Sequence, residues 1–465
     1  MNQEQAREND RRKQKAKKKR AKLKIASLNM RGYSSAGTNG QDKWMLINQV
    51  MRDNRIAVLG LQETHLNEAR LLMLNNLFEP SMKIIMSSDP DSETGARGVA
   101  IALNKRMINT DTIEPEEIIP GRAIACKIPW GQGETLRILN IYAPNAPAKN
   151  EAFWTNLKTK TKENTPDIKI MLGDCNIVED AIDRLPAHLD DEKAVEALRN
   201  FRSEFDLKDG WRLENESRKD FTYLQVATSS HSRIDRIYVA RDLINKTLEW
   251  EIEEAKINTD HRMVTCAVAK YRSPDLGRGR WAMHHTLLRD ETFLKQVQKM
   301  GEKARDGSDY PDPKPNIQMR HENFKKELAK LGRTRAKENV PKLDRRIKKL
   351  KEARLEILND DKKKHDKKKA EEAAEIQNRI EALETKRFGQ VRTRVAAKDF
   401  LEGETIGKYW SKVNVAPKLD EIIYEMKRHG IDTSYTNKSL KMAEMMRHFY
   451  KGLQKDGIDN RTEEA

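Results

Sequence analysis

From Lys24 to about Lys270 the chain is written as short apolar runs separated by turn residues, and no other feature narrows the choice of fold as far. Runs of this length, rich in Val, Ile and Leu and bounded by Gly, Asn and Asp, read as strands. The pattern predicts strands over Leu23–Leu28, Ile56–Leu61, Lys83–Met86, Gly98–Leu103, Ala123–Ile128, Leu136–Tyr142, Ile168–Leu172, Arg233–Val239 and Met263–Ala269. Helix-like stretches fall between several of them, at Lys43–Asn54, Asn67–Leu77, Ala152–Lys162 and Asp191–Phe205. Strands mixed irregularly with helices predict a layered α/β sandwich and not a strictly alternating parallel sheet.

The text changes after Tyr271. "SPDLGRGRW" reads as a linker, and "GSDYPDPKP" at Gly307–Pro315 breaks any helix that begins near Met283. Farther on, Leu343, Ile347, Leu350 and Ile357 sit at heptad-like spacing with Arg354 interrupting the seam, and Ile376, Ile380 and Leu383 start a second seam. A solvated helical pair and a coiled coil both fit this charged segment. The final stretch predicts a small helical unit, Leu419–Met426 and Leu440–Leu453. The resulting division is a basic disordered arm over 1–22, the sandwich over 23–270, a linker over 271–320, the charged helical segment over 321–398 and the small helical segment over 399–465.

Charge points to a partner. Lys and Arg total 89 against 73 for Asp and Glu, a net charge of +16, which favours a polyanionic partner, usually nucleic acid or an acidic membrane surface. The basic run Arg11–Lys24 suits nuclear import or nucleic-acid binding, and equally a solvated tail. No apolar stretch follows it that would serve as a signal peptide or spanning helix, so a nuclear or cytoplasmic, non-secreted protein with no membrane partner is expected. The three cysteines, Cys126, Cys175 and Cys266, lack metal-ligand spacing and read as reduced thiols.

Four strand ends carry polar residues that apolar burial does not explain: Asn29 after "KIASL", Glu63 in "VLGLQETHL", Asp174 and Asn176 in "MLGDCN", and Asp260 with His261 in "INTDHRMV". Each alone has an ordinary explanation as a turn former or cap. Together they suggest a site, because side chains at strand ends can converge on one crevice although they are distant in sequence. Converging carboxylates repel unless a cation sits among them. Oxygen donors without a His/Cys set favour a hard ion, Mg²⁺ above all, and hence phosphoryl chemistry.

The stretches "SLNMRG", "LGLQETH", "NIYAPN", "LGDCN", "RIDRIYV" and "TDH" together resemble the signature of endonuclease/exonuclease/phosphatase domains, the DNase I-like family. Within it, "KWMLINQVMRDNRIAVLGLQETHL", "SRIDRIYV" and "GDCNIVEDAIDRLPAHLD" are most similar to the apurinic-type endonuclease of non-LTR (LINE) retrotransposons, fungal ones in particular. "IGKYWSKVN" and "KMAEMMRHFY" resemble the segment between such an endonuclease and a reverse transcriptase. The resemblance implies a four-layered α/β sandwich, two mixed β-sheets flanked by helices, with an α-helical tail behind it.

It also implies roles. Glu63 would bind Mg²⁺, or Mn²⁺ in its place, with Asn29 and Asp260 assisting. Asp174 would deprotonate the attacking water, Asn176 would donate to a phosphate oxygen, and His261, oriented by Asp235, would donate to the developing charge. Tyr142 would add a phenolic hydrogen bond. Asn145, Thr222 and Ser232 match positions at which relatives touch DNA, and Lys43, Arg97 and Arg236 are candidates for further phosphate contacts. Arg31 departs from the acidic residue common in repair-type members, Cys175 from an aromatic and Thr259 from a serine. The expected activity is a metal-dependent DNA-nicking endonuclease that leaves a 3′-hydroxyl, with DNA as partner and RNA open to the basic arm and helical tail. Abasic-site repair, a small-substrate phosphatase and an inactive nucleic-acid-binding remnant are the alternatives.

Overall fold

The computed structural model describes residues 22–34, 40–92, 94–95, 97–130, 134–164, 166–255, 257–269, 287, 290–308, 316–338, 342–360, 366–402, 423–427 and 434–456. The basic arm before Lys22, half of the 271–320 linker and "IGKYWSKVNV" lie outside them. Two compact units emerge: one holds the described residues up to Asp275 together with those from Lys351 onward, and the other spans Leu276–Leu350.

The first unit is built on two six-stranded mixed sheets. One runs β14 (Thr247–Glu253), β15 (Met263–Val268), β1 (Leu23–Asn29), β2 (Ile56–Gln62), β4 (Val99–Asn104) and β3 (Met82–Ser87). The other runs β10 (Leu207–Asp209), β13 (Asp235–Ala240), β8 (Ile170–Asp174), β7 (Thr135–Tyr142), β6 (Ala123–Pro129) and β5 (Glu116–Ile119). Apolar residues of both inner faces, among them Ile25, Val58, Ile101, Ile138, Leu172 and Val264, form the central core. Helices α1 (Gly40–Asp53) and α2 (Glu68–Leu77) cover the outside of the first sheet, with Trp44 and Ile47 in the core beneath. Helices α3 (Pro147–Asn164) and α4 (Glu192–Glu204) cover the second through Trp154, Leu157, Leu198 and Phe201, and two short helices, α5 (Gly210–Glu214) and α6 (Arg241–Ile244), follow in sequence. This is the four-layered, DNase I-like sandwich.

Every predicted strand and helix of this region is present within a few residues. Three large-sheet edge strands escaped the reading: Glu116–Ile119 is short and half acidic, Leu207–Asp209 has only three residues with one apolar, and Thr247–Glu253 carries three glutamates and a register shift between Leu248 and Glu251, so none shows an apolar run.

The topology decides where polar ends collect. Each sheet holds one parallel pair at its centre, β1 with β2 and β7 with β8, flanked by antiparallel neighbours. Parallel strands finish at the same edge, so Asn29 and Gln62 pair in one sheet as Tyr142 and Asp174 pair in the other. The antiparallel neighbours begin at that edge: Asp235 opens β13 opposite Asp174, and His261 lies just before β15.

A polar rivet crosses the core. Asn140 of β7 donates to the carbonyls of Leu61 and Ala100 in the facing sheet, both at 2.9 Å, and accepts from Gln62 Nε2 at 2.6 Å. All of Asn140 and Gln62 is buried, so the bonds replace solvation that burial removes. Gly60 allows the approach: a Cβ there would lie 2.0 Å from Leu172 Cδ1 and 2.9 Å from Asn140 Oδ1.

Gly173, immediately before Asp174, has a different reason. Its φ is 145°, and a Cβ would stand 2.0 Å from the Ile141 carbonyl oxygen of the neighbouring strand. Gly173→Ala is therefore expected to destabilise the protein by about 2–3 kcal/mol, from backbone strain and displacement of β7. Urea unfolding of the two proteins measures it, and equal midpoints would contradict the argument.

A three-stranded sheet of β11 (Tyr223–Gln225), β12 (Ser230–Ser232) and β9 (Arg184–Leu185) lies beside the second large sheet in sequence order. In the second unit, α7 (Glu291–Asp306) begins at Asp290, whose side chain accepts from Phe293 N at 3.1 Å, and ends at Gly307 in the left-handed region. Helix α8 (Ile317–Glu338) is tied to its end by Arg320, which donates to the Arg305 carbonyl at 2.7 Å.

The charged segment does not form the expected heptad seams. Helix α9 (Lys342–Leu358) turns Arg354 and Leu358 inward, and α10 (Asp366–Glu402) buries Ala370, Ala373, Ala374, Gln377 and Ile380 while Ile376 and Leu383 are only half-buried. Leu358, Ala370 and Ala373 cluster with Leu185 and Phe221 of the sandwich unit. The stripe thus serves docking onto that unit, not a coiled coil. Of the predicted terminal helices, Leu440–Leu453 lies within α11 (Ser439–Asp456), but Met426 enters a two-stranded hairpin of β16 (Met426–Lys427) and β17 (Tyr435–Thr436).

Candidate active site

The polar strand ends meet. Asn29 Nδ2 donates to Glu63 Oε1 at 2.9 Å and to Asp174 Oδ2 at 3.0 Å, so one amide joins a carboxylate from each sheet. Tyr142 donates its hydroxyl to the same Glu63 oxygen at 2.8 Å. Asp174 Oδ1 accepts from the Asn176 backbone N–H at 2.9 Å, and Asn176 Nδ2 donates to the Ala143 carbonyl at 2.8 Å. Glu63 and Asn176 both adopt positive φ, 51° and 53°. Non-glycine residues held there are concentrated at functional sites.

His261 completes the group. Its Nδ1 lies 2.9 Å from Asp235 Oδ2, and Asp235 is fully buried. The Tyr223 ring sits 4.8 Å from the imidazole. Thr259 fixes the approach, donating to the Asn29 carbonyl at 2.9 Å and accepting from His261 N at 3.2 Å. Asp260, half-buried, pairs with the exposed Arg31 at 3.4 Å.

These surroundings shift the ionisations. Burial first, then the Asp235 carboxylate, push Asp174 up to about 7, against the pull of His261 and the Asn29 and Asn176 hydrogen bonds. Burial opposes charge on His261, but Asp235 outweighs it and the imidazole is raised to about 9. Two neighbouring groups whose ionisations are both shifted upward in buried surroundings are perturbations of the kind that cluster at functional sites.

Asp174, Asp235 and His261 bring one ligand atom each within 4.8 Å of one another, and this group could hold a divalent metal ion. The buried Asp235 Oδ1 has no hydrogen-bond partner among the described residues, which fits a cation or water there. The donors nearest solvent differ: Glu63 and Asp260 are half-buried carboxylates at the mouth. Beside Glu63 opens a groove of about 500 Å³, lined also by His65, Arg97, Arg122, Tyr142, Asn145 and Lys149. Arg122 stacks on the Tyr142 ring at 5.1 Å and donates to its carbonyl at 3.1 Å.

The remaining candidates are placed less directly. Asn145 is exposed on the groove. Thr222 is buried, and its hydroxyl accepts from Ile234 N and Asp235 N at 3.2 and 3.1 Å. Ser232, also buried, accepts from Arg184 at 2.8 Å. Of the basic candidates, Arg97 is bound to Asp89 at 2.7 Å. Lys43 and Arg236 are not surface charges. The Lys43 ammonium donates to the carbonyls of Met30, Arg31 and Gly32, and burial with the nearby Arg31 lowers it to about 8. Arg236 is locked among Glu179, Asp183 and Asp209.

No protein-family model matches the chain. The transposon TX1 uncharacterized 149 kDa protein of Xenopus laevis is 31% identical over 198 residues, which is 40% of this chain. This chain spans about 15% of that relative's length. Among solved structures, an AP endonuclease from Archaeoglobus fulgidus covers 53% of this chain and 99% of its own, with 17% identity and a TM-score of 0.42. The endonuclease domain of TRAS1, a telomere-specific non-LTR retrotransposon, covers 54% and 99% at 12% identity and TM-score 0.40. The AP endonuclease LMAP from Leishmania major covers 54% and 88% at 14% and 0.45. Among the described residues, no helix is long and apolar enough to cross a membrane.

Proposed function

We propose that this chain is a divalent-metal-dependent phosphodiesterase that nicks one strand of duplex DNA and leaves a 3′-hydroxyl, as an endonuclease of a non-LTR retrotransposon would. The observation that carries the reading is the continuous chain Tyr142–Glu63–Asn29–Asp174, with the Asp235–His261 pair alongside, at one edge of both sheets. Glu63, with Asn29 and Asp260 beside it, would hold Mg²⁺ or Mn²⁺, which supplies charge neutralisation at the phosphoryl oxygens.

The residues of the chain divide the rest of the work. Asp174 takes a proton from the attacking water, and Asn176 steers a phosphate oxygen or the water itself. His261, held by Asp235 through Nδ1, offers its other ring nitrogen to the charge that grows on phosphorus. Tyr142 orients Glu63. Asn145 meets DNA from the groove, and Thr222 and Ser232 act from behind by setting the backbone that carries Asp235. The net charge of +16 favours binding to the phosphates of such a substrate.

Supercoiled plasmid, an abasic duplex and inositol phosphate, each offered with Mg²⁺ and with Mn²⁺, separate this reading from repair, phosphatase and inactive alternatives. Preference for ordinary duplex supports it. Preference for either other substrate, or no cleavage at all, overturns it.

The ionisations set a pH profile. Asp174 must be unprotonated to accept a proton, so the rate should rise as pH passes about 7, and His261 must be protonated to donate, so it should fall past about 9. Because Asp174, Asp235 and His261 interact, the two limbs belong to the set. A nicking rate independent of pH across this interval would remove Asp174 and His261 from the proton transfers.

A further inference from the structure

A largely buried ionic network ties the helices after the sandwich to the segment that carries His261, just before β15. Arg262, the next residue, donates to Asp220 Oδ1 at 2.5 Å, to Glu254 Oε1 at 3.1 Å and to the carbonyls of Phe221 and Ile252 at 2.7 and 2.8 Å. Arg354 of α9 donates to the same Glu254 oxygen at 3.1 Å and lies 3.8 Å from the same Asp220 oxygen. Gln377 of α10 accepts from Arg354 and donates to Glu254 Oε2 at 2.8 Å. Asp220, Glu254, Arg354 and Gln377 are buried, and the Arg262 side chain is 11% exposed. Two guanidinium groups therefore share two carboxylates out of water, an arrangement that fails if one member leaves.

The same helices grip the backbone next to this network. Asn359, just past α9, accepts from Lys219 N at 2.9 Å and donates to Lys219 O at 3.1 Å, as a paired strand would. Phe221 packs with Leu358, Ala370 and Ala373. The gripped stretch leads at once to Thr222, whose carbonyl accepts from Arg262 N at 2.6 Å and whose hydroxyl holds Asp235 N, and to Tyr223, which bridges to His261.

We propose that α9 and α10 are a working part of the active site and that Arg354 is a positioning residue, fixing the Asp220–Tyr223 stretch and Arg262 so that His261 and Asp235 meet in register. The proposal rests on the nuclease reading for its kinetic test, but its geometry can be read without cleavage. Nothing in the chemistry of a solvated helical tail requires an arginine, an amide and an asparagine to be spent on one segment beside the imidazole.

The test uses the full-length chain. Arg354→Gln is expected to lower the nicking rate at saturating DNA by about tenfold to hundredfold, the scale of a displaced catalytic group, with KM for DNA little changed. Arg354→Lys, which keeps the charge, should recover part of the loss. The His261 Nδ1–H proton resonance, sharpened by its bond to Asp235, should shift or broaden in Arg354→Gln and return toward the wild-type position in Arg354→Lys. An unchanged rate with an unchanged resonance overturns the proposal, as does a loss confined to KM. If Arg354→Gln does not fold, Asn359→Ala decides: a lowered rate at constant KM supports the proposal, and wild-type kinetics overturn it. If the wild-type chain cuts no substrate, the nuclease reading fails, and the resonance alone then decides whether Arg354 positions His261.

Discussion

Asp174→Ala is expected to slow nicking of supercoiled plasmid by about 10²- to 10⁴-fold, the usual contribution of a general base, while duplex binding persists. Fold should not suffer. Burial first, and then the neighbouring Asp235 carboxylate, raise the proton affinity of Asp174, so removing it relieves an unfavourable buried charge. A thermal midpoint equal to or above that of the wild type, together with lost cleavage and retained binding in a salt-matched gel shift, would bear this out. Residual nicking above about one tenth of the wild-type rate would take the base role away from Asp174.

Asp183→Ala should act in the opposite sense, on stability and not on chemistry. Its carboxylate is buried and receives Arg233 Nε at 2.7 Å and Nη2 at 2.8 Å, Arg236 Nη2 at 3.0 Å, and Arg212 besides. Deleting one partner of a buried pair leaves charge without compensation and costs about 3–5 kcal/mol, a large share of the roughly 5–15 kcal/mol that holds a folded domain together. Burial works against the ionised Asp183, but Arg236 and Arg233 overcome it and hold its carboxyl well below the usual range. The sign follows. A depressed carboxylate contributes its stability above its unfolded pKa of about 4 and loses it as pH falls toward the folded value. Urea midpoints of the wild type should therefore fall below about pH 4, and the Asp183→Ala variant should lack this component. Equal acid sensitivity in both proteins would show that the network contributes nothing of the kind.

What could be read from the sequence, and what could not, follows from burial. Nine of the twelve strands of the two large sheets were legible because they are largely apolar and buried, while the short or acidic edge strands β5, β10 and β14 carry no such run. Asn29, Glu63, Asp174, Asn176, Asp260 and His261 stood out for the complementary reason, since each interrupts an apolar run at its end. Basic residues were the blind spot. Lys43, Arg236 and Arg354 have the composition of surface charges, and only their partners, three backbone carbonyls in one case and buried carboxylates in the others, reveal them as interior. Arg354 looked like a flaw in a heptad. It is the residue that the stripe on α9 carries inward. Thr222 was similarly opaque, because a threonine accepting two backbone N–H groups has no signature in one dimension.

The rivet at Asn140 has a consequence for how such a protein fails. Since Asn29 and Glu63 belong to one slab and Tyr142 and Asp174 to the other, the distances that matter are set by the gap between slabs, which Asn140, Gln62 and Gly60 gauge. Loosening that gauge would forfeit buried hydrogen bonds and separate the two halves of the candidate site. Substitutions at Gln62 or Asn140, one residue from Glu63 and two from Tyr142, are therefore expected to act on the site through the spacing of the slabs.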